Sequence, residues 1–305
     1  MIDGTLIQAE VFGRDEKTDI ALLKVKTDTL LPFVEFGDAS AARAGDWVLA
    51  IGNPLGQGFS VSAGIISARG RSLNGSYDDF IQTDAAINRG NSGGPLFDMA
   101  GKVIGVNTAI LSPNGGSIGI GFSMSSSVVE KVVDQLKTFG ETRRGWLGVR
   151  IQDISVDVAD ALGLEDTRGA LVTDVPDGPA KEAGFVSGDI IREFDGKLVD
   201  NTRSLVRIVG DSPVGKSVSV IIFRDGKNIT KEVTLGRLES ALASTGQVNP
   251  KKEKSIIILG MTVSSLTDEL RARIELPADA NGLLVKNVEV GSDAETKGIQ
   301  EGDIT

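Results

Sequence analysis

Three short motifs occur twice in the second half of the chain, in the same order, and this duplication constrains the fold most. The first copy reads Leu147-Gly148-Val149, Gly169-Ala170-Leu171-Val172 and Gly188-Asp189-Ile190, and the second reads Leu259-Gly260-Met261, Gly282-Leu283-Leu284-Val285 and Gly302-Asp303-Ile304. The first and last glycines are about 40 residues apart in each copy. Self-similarity over such a period is typical of a duplicated domain. We therefore predict related domains at 145–237 and 255–305.

The second copy is expected to be incomplete. After its last motif the first copy continues with a turn at Asp195-Gly196, a helix over about 202–209 and a hairpin turn at Asp225-Gly226. The second copy has no counterpart of these elements, so we expect it to bind no peptide and to fold poorly. Between the copies, the Ser, Ala, Lys, Gly and Pro content of 238–254 predicts a flexible linker.

The first part of the chain, 1–140, is predicted to be a β-rich domain. Short apolar strands from about 44 to 122 are separated by glycine-rich turns at a spacing typical of a barrel. Glycine is frequent, at 38 of 305 residues, and aromatic residues make up only 5%. Upstream, an alternating strand is expected to turn at 13–15. Ser127-Val128-Val129-Glu130 fits a capping box at the start of a helix that ends at Gly140.

Charge and composition exclude several classes of protein. The net charge of −10 has the wrong sign for neutralising phosphates, so we expect no nucleic-acid partner. The apolar runs are far shorter than the roughly 18–20 residues that cross a bilayer, so no transmembrane segment is expected. The sequence contains no cysteine and no histidine, which removes a thiolate nucleophile and the commonest general base and metal ligand. We predict neither a metal nor an organic cofactor.

Ser92 lies in the segment Arg89-Gly90-Asn91-Ser92-Gly93-Gly94-Pro95-Leu96. Glycines on both sides allow a tight turn that exposes the Ser92 hydroxyl and points the N–H groups of Gly90 and Ser92 to one place. An acyl-transfer oxyanion requires such converging donors, and losing one costs about 10²–10³ in rate. The alternative is a glycine-rich β-turn with an incidental serine.

Asp19 stands at the mouth of the apolar strand 20–25. A single aspartate in this position is usually a turn or strand cap. The functional alternative is a carboxylate that orients a histidine ring and stabilises the imidazolium.

Taken together, the segments 18–25, 50–56 and 82–96 and the two repeats resemble the HtrA (Deg) family of trypsin-like serine proteases. The resemblance covers essentially the whole chain. It implies a mainly β fold: a chymotrypsin-like double β-barrel, with the first barrel largely missing, followed by PDZ-like α+β domains. It also implies that Ser92 is the nucleophile, that Asp19 orients the base, and that Gly90, Asn91 and Ser92 form the oxyanion loop.

One member of the triad is absent from the sequence. In the family the histidine precedes the aspartate, and none of the residues before Asp19 is histidine. We interpret this as truncation rather than degeneration of the enzyme, and we expect the polypeptide as given not to cleave peptide bonds. The alternative function is a non-catalytic, peptide-binding or chaperone-like protein on a protease scaffold.

The resemblance also assigns a substrate wall in the second barrel. This wall comprises Thr108, Ala109, Ile110, Leu111 and Ser112. Its apolar character, with no acidic residue between 108 and 122, predicts small aliphatic side chains at the cleavage position. A phosphate cradle at 115–121 is a poor alternative because no strand-loop-helix unit surrounds it.

In the first repeat a glycine loop followed by a strand predicts a site for peptide C-termini. Its N–H groups can receive a terminal carboxylate, and the strand offers an edge for β-augmentation. The predicted site residues are Leu147, Gly148, Val149, Arg150 and Ile151. On the later helix, Leu205, Val206 and Val209 either contact the peptide's last side chain or belong to the core.

The family further implies a role in protein quality control in the periplasm or cell envelope. The expected partners are unfolded or misfolded proteins and peptide C-termini. A homo-oligomer based on trimers is also implied.

Overall fold

A computed structural model describes residues 6–54, 58–73, 75–112, 116–244, 256–258, 260–265 and 282–288, and positions 292, 294, 297–300 and 302–304. The chain divides into two compact units, Met1–Leu238 and Glu239–Thr305. The strands of the first unit are β1 (Ala9–Asp15), β2 (Ile20–Val25), β3 (Trp47–Gly52), β4 (Ser60–Arg71), β5 (Phe80–Thr83), β6 (Pro95–Asp98), β7 (Val103–Ile110), β8 (Gly121–Ser125), β9 (Gly145–Trp146), β10 (Arg150–Gln152), β11 (Ala170–Asp174), β12 (Ile190–Phe194), β13 (Lys197–Leu198), β14 (Ser217–Arg224), β15 (Lys227–Thr234) and β16 (Gly236–Arg237).

Helices are few and mostly short. They are α1 (Ser126–Phe139), α2 (Val156–Leu162), α3 (Pro179–Glu182), α4 (Thr202–Gly210) and α5 (Leu238–Ser244). In the second unit the strands are β17 (Ile256–Ile258), β18 (Met261–Ser265) and β19 (Leu283–Val288). The mainly β class predicted from the sequence is confirmed.

Six antiparallel strands close into a barrel in the order β3-β4-β5-β8-β7-β6. Alternation along each strand places one set of side chains inside, as the two-residue period of a strand requires. In β3, for example, Val48 and Ala50 are fully buried, whereas Trp47 is 61% exposed. The barrel core comprises Ala39, Val48, Ala50, Ile66, Ile81, Ala85, Ile87, Leu96 and Ile104.

Helix α1 closes the barrel and carries the β1-β2 hairpin on its surface. Val129, Val132 and Leu136 of the helix pack with apolar residues of β2, β5 and β8. The N-cap is Ser125 and no side chain caps the helix, so the predicted capping box at 127–130 is wrong. At the other end Gly140 adopts a left-handed conformation, with φ of 72°, and donates to the carbonyl of Leu136, as predicted.

The β1-β2 hairpin differs from its prediction. Instead of turning at 13–15, β1 continues through a bulge between Val11 and Gly13 and ends at Asp15. Gly13 is close to the end of α1, since a Cβ there would lie 3.0 Å from the carbonyl of Gly140. The turn is therefore moved to 16–19 by packing against the helix, a long-range contact that the local pattern does not contain.

The first repeat folds as a small α+β domain. Its sheet has the order β10-β11-β12-β14-β15, with β13 paired to β12, and β9 pairs separately with β16. Helix α4 covers the predicted range and has a capping box formed by Asn201 and Ser204. The largest buried residue of the core is Phe194.

The repeated motifs adopt the same local structure in both copies. The N–H of Val172 donates to the carbonyl of Asp189 at 2.8 Å, and the N–H of Val285 donates to that of Asp303 at 2.8 Å. The first residues of the predicted linker form helix α5 (Leu238–Ser244), and the flexibility of the rest stays a prediction. Residues 245–255 and 266–281 lie outside the described residues. The expected poor folding of the second copy stays a prediction.

A buried ion pair joins the β1-β2 hairpin to the segment that enters the first repeat. Arg144 Nη2 lies 2.6 Å from Asp15 Oδ2, and the two side chains are 7% and 4% exposed. The hydroxyls of Thr18 and Thr142 also donate to the Asp15 carboxylate, at 2.6 and 3.0 Å. Burial raises the pKa of Asp15, but the bonds from Arg144 and the two threonines outweigh it and hold that pKa below its ordinary value.

We predict that Asp15→Asn destabilises the protein at neutral pH by about 3–5 kcal/mol, because it removes the carboxylate charge that faces the buried Arg144 guanidinium. The folded-state pKa of Asp15 is depressed, so its contribution is present above the ordinary carboxylate range and is lost as pH falls through the folded value. Urea unfolding at neutral pH and near pH 3 measures both effects. The difference in the free energy of unfolding between Asp15→Asn and the parent should be smaller near pH 3 than at neutral pH.

Glu10→Gln is the control, since the Lys26–Glu10 pair has side chains 81% and 63% exposed. This variant should unfold like the parent at both pH values. Equal losses of unfolding free energy from the two substitutions would contradict a stabilising role of the buried Asp15–Arg144 pair. A loss from Asp15→Asn that does not change with pH would contradict it as well.

Within the described residues no helix is long and apolar enough to span a membrane.

Candidate active site

Ser92 lies in the loop between β5 and β6, where glycines permit a turn that other residues disfavour. Gly90 and Gly93 have φ of 99° and 83°. The N–H of Gly93 donates to the carbonyl of Asn107 at 2.7 Å, which ties the turn to β7. The predicted tight, glycine-dependent turn is therefore present, and it leaves the Ser92 side chain exposed.

The Ser92 hydroxyl has one hydrogen-bond partner in the described part of the chain. Its Oγ donates to the main-chain carbonyl of Thr108 at 3.1 Å. A carbonyl oxygen cannot take the proton, so Ser92 is held at a fixed place without being activated. The sequence contains no histidine that could act as the base.

The oxyanion loop has two N–H groups available and one engaged. The N–H groups of Gly90 and Ser92 donate to no acceptor among the described residues, whereas that of Asn91 donates to the carbonyl of Asn88 at 3.0 Å. Of the three residues predicted for the oxyanion loop, Asn91 therefore holds the loop's shape rather than offering a donor. The two N–H groups without an acceptor thus belong to Gly90 and Ser92, the pair for which the sequence predicts oxyanion binding.

The Asn91 side chain is buried under the nucleophile loop, with only 4% of its surface exposed. Its Nδ2 donates to the carbonyl of Ala86 at 3.4 Å, and its Oδ1 has no hydrogen-bond partner among the described residues. It packs directly on Gly52 of β3, where a Cβ would lie 2.4 Å from Asn91 Oδ1. Only glycine at position 52 leaves room for this side chain.

Asp19 stands at the end of the turn between β1 and β2, in a left-handed conformation with φ of 57°. Its carboxylate is exposed, unlike that of Asp15 four positions earlier. Asp19 and Thr108 line the same cleft, which has a volume of about 450 Å³. The predicted aspartate and the residue whose carbonyl binds Ser92 are thus both exposed to one cleft.

The predicted substrate wall occupies the end of β7 and the residues after it. Ile110 packs against the barrel core, while Leu111 is 58% exposed and its N–H donates to the carbonyl of Ile120 at 3.1 Å. Ala109 is half-buried, as is Ser112. The backbone hydrogen bond between Leu111 and Ile120 thus joins the segment that follows β7 to the segment that precedes β8.

In the first repeat, the loop and helix residues predicted to bind peptide line a common groove of about 200 Å³. The lining residues include Leu147, Gly148, Val149, Ile151, Leu205, Val206 and Val209. Leu147, Leu205 and Val209 are also buried in the domain core, so groove and core share these side chains. Strand β10 is an edge of the sheet and can accept an added strand.

Arg150 differs from its neighbours on the strand, and its role in peptide binding stays a prediction. Its side chain does not line the groove but is 70% exposed and pairs with Asp174 at 3.1 Å. Because side chains alternate along a strand, Arg150 points away from the face that carries Val149 and Ile151.

Tyr77 was missed in the sequence interpretation, although it is the only tyrosine of the chain. It lines both the cleft beside Asp19 and the groove of the first repeat. The Arg144 guanidinium lies 4.4 Å from the centre of its ring, and Gly210 of α4 packs closely on the ring edge. Around this contact, Arg207 pairs with Asp79 at 3.4 Å.

The described residues contain no group of three or more acidic side chains that could hold a metal ion. The expectation that no cofactor is needed stays a prediction.

We predict that Gly52→Ala lowers the stability by about 1–3 kcal/mol, the usual cost of overpacking. The added Cβ must displace the buried Asn91 side chain and with it the nucleophile loop. Thermal unfolding measures the loss. The control is Ser60→Ala, at the exposed position paired with Gly52 across β3 and β4, which should leave the unfolding temperature unchanged. An unchanged unfolding temperature for Gly52→Ala would refute the packing of Asn91 on Gly52.

Comparison with known proteins gives two domain assignments. The profile of the trypsin-like peptidase domain matches residues 1–106, and that of the PDZ domain matches residues 116–235.

Whole-chain comparison gives relatives named probable periplasmic serine endoprotease DegP-like. The protein of Rickettsia conorii is 45% identical over 319 residues, covering 100% of this chain and 62% of that protein. The protein of Bartonella henselae is 43% identical, covering 99% of this chain and 59% of that protein. The chain thus spans about three-fifths of the length of these relatives.

Solved structures are similar over most of the chain. The HtrA-type protease AlgW with a decapeptide has a TM-score of 0.69 and 41% identity, covering 77% of this chain and 73% of that one. The serine endoprotease from Yersinia pestis has a TM-score of 0.58 and 33% identity, covering 77% and 78%.

Proposed function

Because the chain belongs to the HtrA-type family of trypsin-like serine proteases, we propose that it acts as a serine endopeptidase of protein quality control. Its substrates are unfolded or misfolded proteins. The observation that carries the proposal is the exposed Ser92 hydroxyl, which stands in a glycine-dependent turn where the N–H groups of Gly90 and Ser92 donate to no acceptor among the described residues. The names of the Rickettsia and Bartonella relatives support a periplasmic location.

The proposed chemistry is acyl transfer. Ser92 Oγ attacks the peptide carbonyl, and the N–H groups of Gly90 and Ser92 bind the oxyanion that forms. Asp19 orients a histidine that takes the hydroxyl proton and later gives it to the leaving amine. We propose that this histidine lies upstream of the sequence given, since the 305 residues contain none.

Without an imidazole the polypeptide as given is expected to be inactive. A serine hydroxyl has almost no alkoxide at neutral pH, and removing the histidine of one serine protease cost about 10⁶ in turnover. The alternative function, a non-catalytic peptide-binding or chaperone-like protein, is favoured by this same absence.

The cleavage preference follows from the substrate wall. Thr108, Ala109, Ile110, Leu111 and Ser112 offer no negative charge for a basic side chain. We propose that small aliphatic side chains occupy the cleavage position.

The exposed apolar side chains of the barrel support self-association. Trp47 and Val61, on the adjacent strands β3 and β4, are 61% and 62% exposed, and Phe59 is 62% exposed. We propose that the full-length protein forms trimers or multiples of them.

Domain bounds of 1–140, 145–237 and 255–305 remain part of the proposal, with the linker shortened by helix α5.

The catalytic proposal is tested with an active-site fluorophosphonate and unfolded casein. The 305-residue chain should neither label nor cleave, whereas the protein extended by its own upstream coding sequence should do both, and Ser92→Ala in the extended protein should do neither. Rapid labelling of the histidine-free chain would refute the role given to the base. An extended protein that lacks histidine, or carries one and stays unreactive, would leave the peptide-binding alternative.

We further propose that the first PDZ domain binds peptide C-termini, which the peptide-bound AlgW structures support by likeness. Val206→Glu places a charge in the groove beside an incoming apolar side chain and should weaken binding at least about tenfold. Fluorescence anisotropy with a labelled peptide ending in an apolar residue measures this loss.

The control is Val156→Glu, at a 66% exposed position of α2 outside the groove, which should bind like the parent. Amidation of the peptide's C-terminus should abolish binding to the parent. Equal binding of acid and amide forms would contradict recognition of the carboxylate.

A further inference from the structure

Asn88 makes hydrogen bonds to two separate parts of the site. Its main-chain carbonyl accepts from the N–H of Asn91 at 3.0 Å, inside the oxyanion loop. Its side-chain Oδ1 accepts from the N–H of Ser117 at 2.9 Å, across 29 residues of sequence. One residue therefore touches both the nucleophile loop and the segment before β8.

Both ends of this connection are fixed by their surroundings. The preceding residue, Ile87, is 1% exposed in the barrel core and packs on Gly121, where a Cβ would lie 2.8 Å from its side chain. On the other side, the N–H of Leu111 donates to the carbonyl of Ile120 at 3.1 Å. The segment that contains Ser117 is thereby attached to the substrate wall.

The side-chain oxygen of Asn91 takes no part in this connection. Its Oδ1 is buried under the loop with no hydrogen-bond partner among the described residues. The Asn88 amide oxygen is thus the side-chain acceptor that joins the loop at 88–92 to the segment at 116–120.

We infer that Asn88 is a positioning residue that couples the substrate wall to the oxyanion loop. Movement of the wall is transmitted through the Ser117 N–H to the Asn88 side chain, and from the Asn88 carbonyl to the N–H of Asn91. The inference rests on the proposed protease function and deepens it, because it states how occupancy of the wall and the geometry of the Gly90 and Ser92 donors depend on each other.

The first arm of the test uses the 305-residue chain and needs no turnover. Amide hydrogen exchange and ¹⁵N chemical shifts are compared for the parent, Asn88→Ala and Asn88→Asp. The alanine variant should lose protection at Ser117 and shift the Gly90 and Ser92 amide signals. The aspartate variant keeps a side-chain acceptor and should resemble the parent. Loss of protection at Ser117 with no change at Gly90 and Ser92 would overturn the inference.

The second arm uses the protein extended by its upstream coding sequence and a peptide with valine at the cleavage position. Asn88→Ala should lower kcat/KM by about tenfold or more, with both a lower kcat and a higher KM, and Asn88→Asp should restore most of the loss. Asp38→Ala is the control, because Asp38 Oδ1 accepts from the N–H of Ser40 at 2.8 Å in an exposed turn before β3.

Activity of Asn88→Ala within twofold of the parent, or an aspartate variant as poor as the alanine variant, would overturn the inference. An extended protein that hydrolyses nothing would refute the proposed function, while the exchange data of the first arm would still decide whether Asn88 couples the two segments.

Discussion

The buried ion pair of Asp15 and Arg144 joins the β1-β2 hairpin, which carries Asp19, to the segment that leads into the first PDZ domain. Both the candidate active site and the peptide groove depend on this connection. Asp15 ends β1, and its carboxylate binds Thr18 one position before Asp19. Arg144 belongs to the segment that leads into the first PDZ domain and also stacks on Tyr77. Removing one charge from such a pair is costly because the other remains buried, so the pair holds the two segments in a single arrangement.

The position of the hairpin follows from this constraint. Asp19 is exposed and adopts a left-handed conformation, with φ of 57°. The turn that carries it along the cleft shared with Thr108 is held by the bond from Thr18 to Asp15 and by the packing of Gly13 on the end of α1. The buried carboxylate of Asp15 thus helps to position the exposed carboxylate of Asp19.

Local sequence signals predicted what depends on neighbouring residues. The barrel strands follow from two-residue alternation, helix α4 from its apolar spacing, and the tight turn at Ser92 from its glycines. Predictions that required a distant contact were wrong or missing. The β1 turn, for example, was displaced by packing on α1.

The residues that the sequence analysis missed, Asn88 and Tyr77, were missed for the same reason: their contacts depend on distant parts of the chain. Asn88 lies in a recognised motif, yet its partner Ser117 is set by the closure of the barrel. Tyr77 lies in a loop with no periodic pattern, and only the fold brings it between Asp19 and the PDZ groove. Such contacts determine how the site is held together, whereas the motifs determine which chemical groups it contains.

A double-mutant cycle on Asp15 and Arg144 tests the central claim most directly. Asp15→Asn, Arg144→Met and the double variant are unfolded in urea, and the coupling energy is taken from the three changes in stability. The account predicts a coupling of at least about 2 kcal/mol, with the double variant more stable than the sum of the single losses implies. Strict additivity would mean that the two side chains act independently and would contradict the claim that their pairing positions the Asp19 turn.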